Sequence, residues 1–268
     1  MEKQISSLRA LLFDKDGTLV DLRATWVPRY HAAARALARS AALSESFAFE
    51  LLRRLGRDPA TGRLDGTSPL LWATSRAIAE HWAAQPEFRA SERGREELVA
   101  LALSRLEDDE RFPPRPLGDV QTLFARLEAR GFRLGLASMD REASVRRAVE
   151  RLGIAGRLAF VAGCDSGFGT KPAPGMVFGF CAALGLSPRE VAVIGDSPAD
   201  LAMGRAAGCG LVLAVRSGGA AVEDLAPLAD RVLETVHELE ALFERSSARA
   251  GASCSRRRGK SSAKLHGR

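Results

Sequence analysis

The sequence predicts an α/β protein built on a doubly wound parallel sheet, with an all-helical segment inserted after the first strand. Short apolar runs bordered by Gly, Ser or Asp alternate with helical patterns over most of the chain, which is typical of such sheets. Residues 20–110 break this alternation, because they contain helical patterns alone. Parallel sheets of this kind bind ligands at the carboxyl ends of their strands, so the insert is expected to cover that edge.

The apolar runs define the expected strands. Six strands are predicted, at 11–13, 134–137, 158–162, 191–194, 211–215 and 231–233. Each run is short, which favours a buried strand over a helix. The helices of the α/β part are predicted at 119–129, 141–152, 175–184, 198–207 and 235–245. Asp119 can cap the first of these helices, and Gly131 can end it.

The insert carries four longer helical patterns. They are predicted at 25–40, 44–55, 68–84 and 92–106. This organisation divides the chain into a discontinuous α/β core, a helical insert and a tail. The core is predicted to comprise 1–19 and 111–244, the insert 20–110 and the tail 245–268.

Composition places the chain among globular proteins. Of its 268 residues, 46% are hydrophobic and 27% are charged, which excludes a wholly disordered chain. No apolar run approaches the roughly 18 residues of a membrane helix. The net charge of +6 comes from the tail, which holds eight of the 39 basic residues and no acidic one. This Ser-, Arg- and Gly-rich tail is expected to be disordered.

The cysteines and the N-terminus bear on the compartment. Four cysteines, at 164, 181, 209 and 254, lack the spacing of a zinc site. Free thiols are typical of a reducing compartment, so a cytoplasmic protein is expected. Charged residues appear at positions 14–16, too early for a secretory signal, so no cleaved leader is expected.

Two pairs of carboxylates follow predicted strands. Asp14 and Asp16 come directly after the first strand, in an Asp-Lys-Asp-Gly-Thr segment. Side chains two residues apart in extended chain point to the same side. Asp196 and Asp200 follow the strand at 191–194 in a Gly-Asp-Ser-Pro-Ala-Asp segment. The alternatives for these residues are a solvated acidic turn for the first pair and a simple helix cap for Asp196.

A hydroxyl and a lysine complete the candidate site. Ser138 follows the strand at 134–137, where its hydroxyl can bind a phosphate oxygen. Lys171 precedes a helix and is followed by Pro172 and Pro174, which hold the segment extended. Each residue alone is more typical of a turn serine or a solvated loop lysine.

Together, these residues favour a metal and a phosphate. Several carboxylates in one cleft do not all stay ionised without a cation. Oxygen ligands without nearby His or Cys favour Mg²⁺. A Lys and a Ser beside the metal call for an anion, and phosphate fits that requirement.

The order of these segments resembles the haloacid dehalogenase-like (HAD) phosphohydrolase superfamily. The chain carries Leu-Leu-Phe-Asp-Lys-Asp-Gly-Thr-Leu at 11–19, a strand ending at Ser138, Lys171 followed by proline, and Gly-Asp-Ser-Pro-Ala-Asp at 195–200. The resemblance covers roughly residues 8–240 and leaves the tail unexplained. The helical insert is similar to the C1-type cap of the subfamily that includes phosphoglycolate phosphatase.

The resemblance implies roles for the acidic residues. Asp14 would be the nucleophile that forms an aspartyl-phosphate, and it would also bind Mg²⁺. Asp16 would protonate the leaving oxygen, then accept a proton from water, and its backbone carbonyl would bind the metal. Asp196 would be a direct metal ligand, whereas Asp200 would support the metal's waters or Lys171.

The resemblance also implies how the phosphate is bound. Ser138 and Lys171 would bind the transferring phosphoryl group, and the cap would close over the ester. The carboxylate at Asp16 disfavours a true dehalogenase, because a halide leaving group needs no proton. Met139 is a departure, since phosphatases of this group often have Asn after the serine.

Selection of the substrate is expected to fall to the cap, and the candidates just past the first motif are Arg23, Trp26, Arg29, Tyr30 and His31. The expected substrate is a small phosphorylated metabolite, with a phosphoglycolate-like ester favoured. Arg23 could bind a carboxylate of that substrate. Trp26 and Tyr30 are four residues apart, a spacing more typical of packing on one helix face.

Two other functions stay open at this stage. A phosphomutase could use the same nucleophile, provided that its cap keeps the phosphorylated intermediate from water. A catalytically idle domain could instead act as a binding module through the basic tail. That tail contains no aromatic residue to stack on bases, so nucleic acid is not the expected partner. No membrane partner is expected, and the sequence leaves the oligomeric state open.

Overall fold

A single six-stranded parallel sheet organises the protein. The computed structural model describes residues 2–58, 68–71 and 73–244. The strands are β1 (Ala10–Phe13), β2 (Arg133–Ala137), β3 (Leu158–Ala162), β4 (Val191–Gly195), β5 (Leu211–Val215) and β6 (Arg231–Leu233). They are arranged in the order β3-β2-β1-β4-β5-β6, and every neighbouring pair is parallel. All six predicted strands are confirmed.

The helices follow the sequence prediction closely. They are α1 (Glu2–Ser7), α2 (Leu22–Ser40), α3 (Glu45–Arg54), α4 (Ser75–Ala83), α5 (Arg95–Leu106), α6 (Val120–Ala129), α7 (Glu142–Arg151), α8 (Gly175–Leu184), α9 (Pro198–Ala207), α10 (Val222–Leu225) and α11 (238–244). Helices α1 and α10 were not predicted, because each is too short to show a helical period. Helix α11 begins three residues later than predicted.

Helices cover both faces of the sheet, as a doubly wound fold requires. On one face, Leu11 and Phe13 of β1 join a buried cluster that includes Phe124 of α6. On the other face, Leu12 joins a cluster that includes Phe180 of α8. Alternate residues of one strand therefore pack into two different cores. The prediction of a doubly wound α/β core is confirmed.

The segment between β1 and α6 is helical and has a core of its own. We call helices α2–α5, together with the turns between them, the helical insert. Their apolar faces pack around Trp82, which is fully buried and donates its indole N–H to the backbone oxygen of Leu51 at 3.1 Å. This cluster is separate from those that flank the sheet. The insert thus has the apolar core needed to hold its shape beside the sheet.

Two predicted helices of the insert are shorter than expected. The helix predicted at 68–84 is a 3₁₀ turn at Pro69–Leu71 followed by α4 from Ser75. The reason is local, because the Thr74 side chain accepts a hydrogen bond from the Ala77 backbone and so starts a new helix there. The helix predicted at 92–106 starts at Arg95, directly after Gly94.

The remaining predictions concern the C-terminus and membranes. The basic tail at 245–268 lies outside the described residues. Across the parts of the chain that the structure describes, no helix combines the length and apolarity that a bilayer crossing needs.

Candidate active site

Three predicted site residues lie side by side because the strands that precede them are neighbours. Asp14 follows β1, Ser138 follows β2 and Asp196 follows β4, and β1 lies between the other two strands. The Asp14 backbone N–H donates to the Ile194 oxygen at 2.8 Å, which extends the β1–β4 ladder into the site. The three residues are buried at the carboxyl edge of the sheet, with exposed fractions of 8% or less.

Lys171 joins two of the carboxylates. It lies in the loop between β3 and α8, and its ammonium is 2.5 Å from Oδ1 of Asp14 and 2.5 Å from Oδ1 of Asp200. Burial lowers the pKa of Lys171, but the two carboxylates outweigh burial and hold that pKa above its ordinary value. Lys171 is therefore a buried positive charge beside the predicted nucleophile.

Three carboxylates converge in this region. Oxygens of Asp14, Asp196 and Asp200 lie within 4.8 Å of one another. Burial raises the pKa of Asp14 to about 7, against the opposing effect of Lys171. Burial, with the neighbouring Asp14 and Asp200, also raises the pKa of Asp196 well above its ordinary value. The cluster carries more negative charge than one ammonium balances, so it favours an additional cation.

Two further observations fit a hard divalent cation. The Oδ2 atom of Asp14 is buried and has no hydrogen-bond partner among the described residues. Backbone also closes around Asp196, because a Cβ on Gly17 would lie 2.3 Å from its Oδ2 and one on Gly218 would lie 1.8 Å away. Gly17 has a φ of +82°, which glycine adopts without strain. A compact cradle of carboxylate oxygens is the chemistry that Mg²⁺ prefers.

The Asp16 carboxylate lies in a different network from these three. Its Oδ1 accepts the indole N–H of Trp26 at 2.8 Å, and its Oδ2 pairs with the Lys15 ammonium. Lys15 also pairs with Asp140 at 3.0 Å. The structure thus separates the two carboxylates of the first motif, with Asp14 among the metal-type ligands and Asp16 against the helical insert.

A pocket of about 470 Å³ brings the core residues and the insert together. On the core side it is lined by Asp14, Asp16, Ser138, Met139, Asp140, Thr170, Lys171, Pro172, Asp196, Ser197, Ala199 and Asp200. On the insert side it is lined by Leu22, Trp26, Tyr30, Leu70, Leu71, Ala73, Thr74 and Ala77. The insert therefore covers the carboxyl edge of the sheet, as the sequence indicated.

The residues proposed for substrate selection divide into two groups. Arg23 is exposed on α2, and the pocket lining includes none of Arg23, Arg29 and His31. Trp26 and Tyr30 do line it, and they also stack on each other with ring centroids 5.6 Å apart. The two aromatic residues thus combine the packing role expected of them with a place in the pocket wall.

Sequence reasoning assigned no role to several residues of the site. Lys15 and Asp140 form the ion pair beside Asp16; Lys15 is buried and Asp140 is partly buried. Ser217 donates to the Gly17 oxygen at 2.6 Å, and Thr18 donates to Asp196 at 3.4 Å. The scarcity of lysine was an available signal for Lys15, since the chain has only five lysines.

Comparison with known proteins agrees with this geometry. A family model described as haloacid dehalogenase-like hydrolase matches residues 8–208. A phosphoglycolate phosphatase of Chromobacterium violaceum is 28% identical over 240 residues, covering 90% of this chain and 98% of that protein.

Solved structures show the same fold. A predicted phosphoglycolate phosphatase from Haemophilus somnus aligns with a TM-score of 0.68 at 18% identity, covering 88% of this chain and 98% of that one. A protein from Thermotoga maritima, provisionally named a β-phosphoglucomutase, aligns with a TM-score of 0.65 at 19% identity, covering 88% and 99%.

The match over most of the core and the insert decides the family. The chain belongs to the haloacid dehalogenase-like hydrolases. Within that family it is an enzyme of the phosphatase type, as its curated relatives are. The predicted family and enzyme class are confirmed.

Proposed function

We propose that the protein is a Mg²⁺-dependent phosphomonoesterase that acts on a small phosphorylated metabolite through an aspartyl-phosphate. The observation that carries this proposal is the state of the Asp14 carboxylate. Lys171 holds one of its oxygens, while the other is buried, lacks a hydrogen-bond partner and belongs to a residue that lines the pocket. A carboxylate held in this way is placed to attack an electrophile that enters the pocket.

The metal would be held by the carboxylates of Asp14 and Asp196 and by the backbone carbonyl of Asp16. Asp200 would support the site indirectly by holding Lys171. Its carboxylate pairs with Lys171 and accepts hydrogen bonds from the Ser197 backbone and hydroxyl. When bound, Mg²⁺ supplies positive charge that stabilises the phosphoryl oxygens and keeps neighbouring carboxylates ionised.

The chain's own residues account for the chemical steps. Asp14 forms a bond to phosphorus while the bond from phosphorus to the ester oxygen breaks, and Asp16 gives its proton to that oxygen. A water molecule then attacks phosphorus and Asp16 takes a proton from it, while the bond from the Asp14 oxygen to phosphorus breaks and phosphate leaves. Ser138 and Lys171 bind the phosphoryl oxygens, because both line the pocket beside Asp14.

Support for the substrate class comes from the relatives and from the pocket. The curated relatives are named phosphoglycolate phosphatases, so phosphoglycolate is the reference ester for this chain. The pocket volume of about 470 Å³ suits a small metabolite. Among the pocket-lining residues that the structure describes, Lys171 is the sole cation, and its ammonium lies 2.5 Å from Asp14.

The thiols support a cytoplasmic location for the proposed enzyme. Cys164, Cys181 and Cys209 are all free, as expected for a cytoplasmic enzyme.

The test is release of inorganic phosphate from a panel of small phosphate esters that includes phosphoglycolate. The wild type is assayed with Mg²⁺ and with EDTA, beside Asp14→Asn. Asp224→Asn is the matched control, because Asp224 is exposed on α10 and lies outside the pocket. We expect Mg²⁺-dependent release that Asp14→Asn lowers by about 10³-fold or more and that Asp224→Asn leaves unchanged.

The panel also separates the two alternatives. A phosphomutase would release phosphate from no ester at a useful rate and would instead move the phosphoryl group within a sugar phosphate. An idle binding domain would neither release nor move phosphate. Either result from a folded wild-type protein contradicts the proposal.

A further inference from the structure

The Asp16 carboxylate is held at both of its oxygens. The Trp26 indole N–H donates to Oδ1 at 2.8 Å, and the Lys15 ammonium pairs with Oδ2. The Asp16 side chain is 17% exposed, so it is largely closed off from water that could replace these partners. Two contacts on the two oxygens of one carboxylate fix its rotation as well as its position.

The two contacts come from different parts of the protein. Lys15 belongs to the core loop after β1, and its ammonium is anchored by Asp140 at 3.0 Å. Trp26 belongs to α2 of the helical insert. The orientation of Asp16 therefore depends on how α2 lies against the core.

Trp26 itself is held in place from its other side. The Arg29 guanidinium lies 5.0 Å from the centre of the indole ring, within cation–π range. Arg29 is buried, and it pairs with Asp109 at 2.9 Å and donates to the Leu106 oxygen at 3.1 Å. Asp109 in turn pairs with Arg147 of α7 at 2.9 Å. This chain of contacts ties the indole to the insert and to the core.

We propose that Trp26 is the positioning residue for Asp16, so that the insert orients the group that protonates the leaving oxygen. This inference rests on the acid–base role given to Asp16 under the proposed function. In the first step, the bond from phosphorus to the ester oxygen breaks while that oxygen receives a proton from Asp16, which carries it on an oxygen lone pair that the two donors leave free. Only an orientation that points this proton at the leaving oxygen lowers the barrier.

The leaving group provides a test that a merely structural role would not satisfy. An alkyl alkoxide is a strong base and needs the proton as the bond breaks, whereas p-nitrophenolate leaves without it. Loss of a positioning contact on Asp16 should therefore slow alkyl esters much more than p-nitrophenyl phosphate. Damage to the fold or to the nucleophile would slow both kinds of ester alike.

The variant is Trp26→Phe, which keeps an aromatic ring and removes the N–H donor. The matched control is Trp82→Phe, which removes an indole hydrogen bond to the Leu51 oxygen in the core of the same insert. We expect Trp26→Phe to lower kcat for an alkyl phosphate at least about 10-fold, with a change below about 3-fold for p-nitrophenyl phosphate. Trp82→Phe should leave the ratio of the two kcat values as in the wild type.

A second substitution covers the case in which Trp26→Phe fails to fold. Site-specific replacement of Trp26 by benzothienylalanine keeps the bicyclic shape and replaces only the N–H with sulfur. The same loss of alkyl-ester turnover is expected for it.

Each contrary result overturns the inference. An equal fall for both esters would make Trp26 a structural residue, and a faster alkyl-ester reaction would mean that Trp26 restrains Asp16. An unchanged ratio in both variants would leave the hydrogen bond without a role in proton transfer. If the folded wild type releases no phosphate from any ester, the proposed function itself is contradicted. The inference about Trp26 is then contradicted as well, because it rests on that function.

Discussion

The two walls of the pocket, one from the core and one from the helical insert, differ in charge. The core wall is charged, with Asp14, Asp196 and Asp200 around the Lys171 ammonium. The insert wall is apolar or neutral, and its polar groups are already engaged in contacts of their own. Tyr30, for example, donates its hydroxyl proton to the Leu70 oxygen at 2.5 Å.

This difference in charge predicts different roles for the two walls in binding a substrate. We expect the charged groups of the core wall to bind the phosphoryl group, which every phosphate ester presents in the same form. An apolar wall discriminates among the remaining parts of the esters by shape and charge. A hydrogen bond joins the two walls, because the Trp26 indole of the insert donates to the Asp16 carboxylate of the core.

The largest expected effect concerns the charge balance of the core wall. Lys171→Met keeps side-chain length and removes the ammonium that two carboxylates share. Since it leaves buried carboxylates without their counterion, the free energy of unfolding should fall by about 3–5 kcal/mol, and activity should be lost. Chemical denaturation followed by circular dichroism measures this change.

An exposed ion pair supplies the control for that experiment. Arg205 pairs with Asp230 at 2.9 Å on the surface, so Arg205→Met should cost about 1 kcal/mol or less. A Lys171→Met protein as stable as Arg205→Met would mean that the core wall does not depend on its internal charge balance.

The next largest effect is the stabilisation of the core wall by Mg²⁺. Mg²⁺ at about 100 times its dissociation constant should raise the free energy of unfolding by about 2.7 kcal/mol, provided that it binds only the folded chain. Asp196→Asn should abolish this gain, while Asp224→Asn should keep it. Denaturation curves with MgCl₂ and with NaCl of equal ionic strength give the two values.

A gain in stability that persists in Asp196→Asn would place the metal elsewhere. No gain in the wild type would contradict a magnesium site at the core wall.

A smaller effect is expected when charge is moved into the apolar wall. Ala77 lies at the exposed rim of the insert wall. Ala77→Lys should raise kcat/KM for phosphoglycolate, relative to a neutral alkyl phosphate, by about 10-fold, which corresponds to about 1.4 kcal/mol. The substrate's carboxylate gains a cation there, whereas the neutral ester does not.

Ala77→Met is the control for side-chain length without charge. If Ala77→Met changes the ratio as much as Ala77→Lys does, the preference depends on shape and the charge argument fails.

The smallest effect lies on the insert, away from the pocket. Burial, followed by the nearby Arg57 and Arg35 guanidinium groups, lowers the pKa of His31 below its ordinary 6.5. Between that lowered pKa and 6.5, the unfolded chain binds more protons than the folded chain. Stability should therefore fall as the pH drops below about 6.5.

His31→Gln should reduce this pH dependence, because it removes the titrating group. Denaturation midpoints of both proteins at pH 7.5 and pH 5.5 give the comparison. An identical pH dependence in the two proteins would show that other groups account for it.

The charged wall was the predictable one. Asp14, Ser138 and Asp196 each end an apolar run, and parallel strands bring their carboxyl ends to one edge, so their grouping follows from the strand pattern. The position of Asp200 was harder to predict. Its carboxylate oxygens reach both the Asp14–Asp196 cluster and Lys171. That arrangement depends on how α9 is set against β4.

The apolar wall was predictable only in outline. The helical pattern predicts an insert over the strand ends. It does not identify the residues that face the pocket, since Arg23, the residue proposed to bind the substrate's carboxylate, lies exposed outside the pocket lining. Helix periodicity indicates which face of α2 is buried, yet it does not distinguish packing on another helix from facing a cavity. The break at Thr74 was missed for a related reason, since a side-chain cap competes with an otherwise continuous helical pattern.

The sequence by itself determined the sheet, the family and which carboxylates follow the strands, because those depend on short segments whose local pattern sets strand and turn. Tertiary structure alone decided the contact between Trp26 and Asp16 and the pairing of Lys15 with Asp140. Asp140 and Trp26 join this network from segments far apart in the chain, so no local pattern encodes it. The contacts form only when packing of the insert against the sheet makes it favourable to bury those polar groups together.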